Sequence, residues 1–360
     1  MASLAGAGSA IERDRSRDRG VIRTWLIVVA LMIVAMVVVG GATRLTNSGL
    51  SITEWRPISG LLPPLNESEW RDAFAKYQQI PEFRLVNPDM TVEGFQTIYW
   101  WEWAHRLLGR LIGVVVLAPL VFFWLGGRIE PSLKPKLVAV VVLGGLQAAA
   151  GWWMVASGLA ERTDVSQYRL AIHLTLAAAI LAYVVWVARG LTPTPSERTA
   201  GGARLVAALI VAVTFVQIFL GGLVAGLDGG LTFNTWPLMD GALVPSGLLV
   251  QSPWWRDLFE NVATVQFDHR LGAYCLLALA VGHAVQARGS AHAGSAAALA
   301  GAVTLQAAIG IFTLVALVPV GLALLHQFGA VVVLWLAVIH LRAMRPETPL
   351  PIDRHRGRPQ

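Results

Sequence analysis

Cysteine is nearly missing: Cys275 is the single one in 360 residues. One cysteine makes no intrachain disulfide and no cysteine-ligated zinc site, so packing inside its apolar run is the expected role. Charge is scarce too. Charged residues are 14% of the chain and apolar residues 55%, where ordinary soluble domains run near ~25% and ~45–50%. Both departures argue against a soluble globule and for a membrane protein. Acidic residues are the scarcer sign, leaving a net charge of +6. A nucleic-acid partner does not explain that excess, because the basic residues gather in the tails and at the ends of apolar segments, where positive-inside topology puts them.

What is present is a series of long apolar runs. A spanning helix needs roughly 20 mostly apolar residues. Eight segments qualify, at 22–43, 98–126, 136–158, 167–189, 204–226, 262–287, 294–316 and 319–342. The last two form one run that Pro319 breaks, since proline cannot donate to the helix ladder. Arg13, Arg15, Arg17, Arg19 and Arg23 precede the first segment, and Arg128, Lys134, Lys136, Arg189, Arg198, Arg204, Arg342, Arg345, Arg354, Arg356 and Arg358 fall on the same side. Both termini are therefore expected in the cytoplasm, with the connections 44–97 and 227–261 outside. The first segment is too long for a signal-peptide core and reads as an uncleaved span.

The chain repeats. GGATRLTNSGLSITEWRPISGLLPP from Gly40 matches GGLVAGLDGGLTFNTWPLMDGALVP from Gly221 at an offset of 181. His105–Arg106–Leu107 matches His269–Arg270–Leu271 at an offset of 164, so the first outer connection is 17 residues longer. LQAAAG at 146–151 matches LQAAIG at 305–310, and His173 matches His326. With four spans per unit both halves insert the same way up, a parallel repeat. The expected architecture is an all-α polytopic membrane protein of eight transmembrane helices in two parallel, pseudo-symmetric four-helix bundles. The divisions are a cytoplasmic basic tail 1–21, an N-terminal half 22–190, a cytoplasmic linker 191–203, a C-terminal half 204–342 and a cytoplasmic tail 343–360. Each outer connection also holds an amphipathic helix candidate, NESEWRDAFAKYQQ from Asn66, with Glu69 at capping-box spacing, and the shorter SPWWRDLFENV at 252–262. Such a helix either seats among headgroups or covers something held between the spans.

Four of the eight histidines, His105, His173, His269 and His326, lie in segments two, four, six and eight. Each is about seven residues from the outer end of its segment, or roughly 10 Å deep at ~1.5 Å per residue. Imidazoles at one depth on alternate helices of a duplicated unit suit bis-histidine haem ligation, with His105 and His173 around one iron and His269 and His326 around a second. Zinc would want more ligands, and no Cys or Asp accompanies these histidines. His283, His292 and His340 sit near the inner ends and His355 in the tail; no repeat relates them, and they read as interfacial or solvated. Arg106 and Arg270 either bind backbone carbonyls or snorkel, or they meet haem propionates.

The halves differ at one position. Glu102, a helical turn before His105, corresponds to Gln266. A carboxylate at that depth is costly. It is either a salt bridge to Arg106 or Arg110, or a general base and electrostatic stabiliser beside the first haem.

The chain resembles the haem A synthases, through TNSGLSITEWRPISGLLPP at 46–64 and GFQTIYWWEWAHRLLGR at 94–110. The likeness runs from the first span to the eighth, and the long first outer connection is similar to the alphaproteobacterial and mitochondrial branch. It implies an inner-membrane oxidoreductase acting on a CH group, which converts the C8 methyl of haem O to a formyl group and so makes haem A for cytochrome oxidase. It implies substrate haem O and product haem A at His105 and His173 with Arg106, haem b at His269 and His326 with Arg270, and a catalytic Glu102. The implied partners are lipid, a haem O synthase, a cytochrome oxidase assembly factor, an electron-transfer partner and a second copy of the chain. Some bacterial members carry a cysteine pair in the first outer connection; this chain has none there. A di-haem cytochrome b without chemistry on its haem, and a transporter with histidine proton relays, are the competing readings.

Overall fold

The computed structural model describes residues 2–56, 59–192 and 201–345, with side chains from residue 15. Much of the linker and the tail beyond 345, with His355, lie outside the described residues. The helices run α1 Ala2–Leu45, α2 Glu67–Tyr77, α3 Pro81–Leu85, α4 Val92–Leu125, α5 Lys134–Ala156, α6 Gln167–Arg189, α7 Gly201–Gly226, α8 Asp257–Glu260, α9 Val262–Gln286, α10 Ala293–Val315 and α11 Val320–Ala343. There is no strand among the described residues. The fold is all-α and polytopic. Seven helices, α1, α4, α5, α6, α7, α10 and α11, have the length and composition to cross a membrane. The expected sixth span, α9, is as long as its neighbours at 25 residues. Gln266, Asp268, Arg270 and two histidines make it more polar than they are.

The long helices neighbour one another in two closed rings. In the first, α1 meets α4, α4 meets α5, α5 meets α6 and α6 returns to α1. In the second, α7, α9, α10 and α11 close in the same sequence. The rings join where α6 meets α7 and α11 and where α1 meets α11. Small residues permit that closeness. A Cβ on Gly222 would stand 2.8 Å from Ala171 Cα, and one on Gly226 2.6 Å from Gln167 Cα. At the repeat position of Gly222, Gly41 makes room for Gln327 of α11, whose Nε2 donates to the Val37 carbonyl at 2.8 Å. Arg44 fastens the outer side of this seam, reaching Asp164 Oδ2 at 2.8 Å and Asp228 Oδ1 at 3.0 Å.

Local departures from helix ideality are compensated. Pro119 inside α4 has no N–H for the Val115 carbonyl; Trp25 Nε1 donates to it at 2.7 Å instead. Pro319 caps α11 and ends the last apolar run as expected, with Leu317 and Val318 in left-handed backbone between α10 and α11. The segment 2–21, read as a tail, continues α1. Its Asp18 and Arg19 pair with Arg128 and Glu130 of the α4–α5 connection at 2.6 Å each, so these charged segments share one side.

In the first outer connection, Asn66 caps α2 by accepting from Glu69 N at 3.0 Å, and Glu69 reaches back to Leu65 N at 2.8 Å. The apolar stripe packs on the outer turns of α4: Trp70 lies edge-on to Tyr99 at 5.0 Å, and Tyr77 is fully buried beside Phe95. The stripe is thus covered by protein. The 252–262 counterpart is only a 3-10 turn and the four-residue α8.

Candidate functional site

Each of the four deep histidines sits on a glycine of the preceding long helix. A Cβ added to Gly40, Gly151, Gly221 or Gly310 would lie 2.9, 2.9, 3.2 or 2.6 Å from the Cε1 of His105, His173, His269 or His326 respectively. Any other residue there would displace the ring. One turn before three of these glycines stands a glutamine. The amide Nε2 of Gln147, Gln217 and Gln306 lies 3.2, 3.0 and 3.0 Å from Nδ1 of His173, His269 and His326. Each amide also donates to that histidine's own carbonyl, at 3.1, 2.8 and 2.7 Å. The local pattern is Q-x-x-x-G facing H. At the fourth cradle the glutamine position is Met36, and His105 Nδ1 is buried with no hydrogen-bond partner among the described residues.

The rings of His269 and His326 stand 6.5 Å apart, centroid to centroid, with planes at 84°. An imidazole–metal bond of roughly 2 Å on each side, plus the rings' own radii, fills that gap. The amide oxygens of Gln147, Gln217 and Gln306 are buried without partners. In the arrangement shown the amide nitrogen faces Nδ1; an imidazole that binds metal through Nε2 carries its proton on Nδ1, and the amide meets that proton by turning its oxygen inward. Glycine cradles and orphaned acceptors together fit bis-histidine haem. No cluster of three or more His, Cys, Asp or Glu fit for a bare metal ion occurs among the described residues.

Outward of the histidines, the two halves fasten their outer connections in the same way. Arg106 Nη1 and Nη2 donate to the carbonyls of Glu54 at 2.8 Å and Ile52 at 2.7 Å. Arg270 donates to the repeat-related carbonyls of Thr235 at 3.0 Å and Phe233 at 2.7 Å. Of the readings open for these arginines, the structure places both on backbone carbonyls. Glu102, 3% exposed, accepts from Ser51 Oγ and Ile52 N, each at 2.7 Å, and pairs with Arg106 at 2.6 Å. Gln266 does the corresponding work: its Nε2 donates to the carbonyls of Gly229 and Thr232 at 2.6 Å, and its Oε1 accepts from Arg270 at 3.0 Å.

Four features of the structure differ from the sequence reading or lie outside it. The Q-x-x-x-G signal was there, but Met36 interrupts it in the first unit. His283 and His340 are not interfacial: both are 1% exposed, with their Nε2 atoms 2.8 Å apart and Ser295 Oγ 2.8 Å from His340 Nδ1. Glu82, in α3 of the long outer connection, is buried, and burial together with Asp164 and Glu102 pushes its carboxyl up to about 8. Cys275 is exposed on α9 rather than packed.

With this geometry in hand, comparison with known proteins decides the family. Residues 23–338 match the cytochrome oxidase assembly protein family. The chain belongs to that family. It is 52% identical over 356 residues to a protein of Mesorhizobium japonicum named heme A synthase, covering 98% of each chain. A heme A synthase of Brucella anthropi is 54% identical over 349 residues, 96% of this chain and 97% of that one. One from Brucella ovis is 57% identical over 334 residues, 91% of this chain and 93% of that one. All three come from alphaproteobacteria, the branch suggested by the long first connection.

Proposed function

We propose that this chain is a haem A synthase, an oxidoreductase that converts the C8 methyl of haem O to a formyl group. The observation that carries the reading is the set of four glycine-seated histidines with a carboxylate, Glu102, beside the first ring and a neutral Gln266 at the matching place in the second half. The N-terminal half, 22–190, is the substrate half. Haem O enters from lipid, since its isoprenoid tail is apolar, and docks between His105 and His173, with Arg106 holding the outer connection beside it. Glu102 stabilises positive charge developing at the reacting carbon and takes a proton from the incoming water. Two two-electron oxidations of that carbon, with the four electrons passing to the electron-transfer partner, four protons released and two waters supplying oxygen, give a gem-diol, and loss of one water leaves the aldehyde. In the C-terminal half, 204–342, His269 and His326 hold haem b, with Arg270 alongside. When bound, haem b supplies one-electron chemistry.

The protein works as a multi-pass protein of the bacterial inner membrane, with α9 crossing as the sixth of eight spans and both termini cytoplasmic. Its partners are a haem O synthase upstream, a cytochrome oxidase assembly factor downstream, an electron-transfer partner and a further copy of itself.

A second reading is a di-haem cytochrome b that only moves electrons. It is favoured by the loop clasp, which gives Glu102 a structural task that Gln266 shares. Expression in cells that make haem O but no haem A separates the two. Haem A in the membrane extract supports the synthase; unchanged haem O and haem B support the cytochrome.

A further inference from the structure

The four cradles are not equal, and we propose that the inequality sets which haem is retained and which is exchanged: His105 is the ligand built to let go. This deepens the synthase reading and rests on it. Glutamines at 217 and 306 stand against both histidines of the second half. Each amide is in turn given room by a glycine three residues after the histidine, because a Cβ on Gly272 or Gly329 would run into the amide oxygen of Gln217 or Gln306. In the first half only His173 has its glutamine, Gln147, and the positions three residues after both histidines are Leu108 and Leu176. His105 faces Met36, whose thioether has neither the donor nor the strong acceptor of an amide. Its Nδ1 is the one ring nitrogen of the four deep histidines that is buried without a partner among the described residues.

A ligating imidazole carries its proton on Nδ1, and each of these amides, turned over in its place, accepts it; such a hydrogen bond fixes the tautomer and the ring orientation and raises basicity, and losing it lowers metal affinity about 10–100-fold. The second site therefore has two fixed, basic ligands and holds its haem permanently. The first has one, His173. The weak ligand lies on the Glu102 side, one helical turn away, so the bond that opens for loading and release is the one nearest the reacting residue.

The test is haem transfer from the purified full chain to apomyoglobin, followed by absorption. The chain carries its resident haem and is loaded with haem O. Two phases are expected, and His269→Ala should abolish the slow one. Gln217→Met and Gln306→Met should each speed the slow phase roughly 10–100-fold. Met36→Gln with Leu108→Gly, which installs both the amide and its space, should slow the fast phase by a similar factor. Absorption band positions report whether ligation has changed. Because the glutamine variants alter a natural partner and the double variant adds one, misfolding in one arm leaves the other decisive. Unchanged slow release in both glutamine variants, an unslowed fast phase in the folded double variant, or a fast phase lost in His269→Ala, overturns the proposal. Haem content unchanged in His105→Ala and in His269→Ala overturns the haem sites themselves, and the proposal with them.

Discussion

Set beside each other, the outer ends of α4 and α9 do one structural job with two chemistries. Arg106 and Arg270 clasp repeat-related carbonyls, and Glu102 and Gln266 complete the clasp. The second half shows that a neutral amide suffices to pin an outer connection to its helix. The negative charge in the first half is therefore surplus to architecture. A carboxylate within a membrane segment is costly, and a charge kept where an amide serves is the observation behind the role proposed for Glu102.

The sharpest way to break this comparison is to make the halves identical. Glu102→Gln copies the second half into the first, so the clasp should persist, haem should remain bound and conversion of haem O should fall by roughly 100-fold or more. Haem A formed at the normal rate by that variant would remove Glu102 from the chemistry. Next in size is Gly310→Ala, whose new Cβ lies 2.6 Å from His326 Cε1. It should strip haem b from the purified protein, read as loss of haem per chain, while Gly301→Ala, where a Cβ meets nothing within 4 Å, should not. Third, the two arginines should differ on truncation. Arg106→Ala leaves a buried carboxylate unpaired and should cost about 3–5 kcal/mol. Arg270→Ala leaves a neutral amide and should cost about 1–3 kcal/mol. Thermal unfolding in detergent at matched pH measures the gap; equal losses would mean that the charge of Glu102 does not matter to the clasp.

A fourth effect belongs to Glu82, which has no repeat counterpart because it lies in the longer connection. Its folded carboxyl is raised from the ordinary 4.5 to about 8, so the folded state binds the proton more tightly than the unfolded. The stability this contributes is present below the unfolded value and is lost as pH rises toward the folded one. Glu82→Gln should therefore gain stability relative to the natural chain on going from pH 5 to pH 8. A pH-independent difference would show that Glu82 is ionised throughout.

How much of this was legible follows from which interactions are periodic. The apolar spans, the glycine-rich starts of the outer connections and the His–Arg dyads recur at fixed offsets, so sequence alone placed them. Glu102 stood out because its partner in the repeat is Gln266. The glutamines behind the histidines recur as well, but Met36 breaks the set at its first member and hid the other three. His283 and His340 were misread because nothing local announces them: their repeat positions are Pro119 and Val187, and the pair exists only because α9 and α11 converge. The stripe of α2 was visible as a stripe, but an apolar face does not say whether lipid or α4 will cover it; the aromatic turns of α4 at Phe95 and Tyr99 do.

The central claim is that two histidine pairs hold two haems of different kind. Extracting and chromatographing the haem from purified chain, from the His105→Ala, His173→Ala double variant and from the His269→Ala, His326→Ala double variant tests it directly. The account predicts haem B together with haem O or haem A in the natural chain, haem B alone in the first variant, and haem O or haem A alone in the second. Haem B in equal amount from both variants, with no haem O or haem A anywhere, would contradict it.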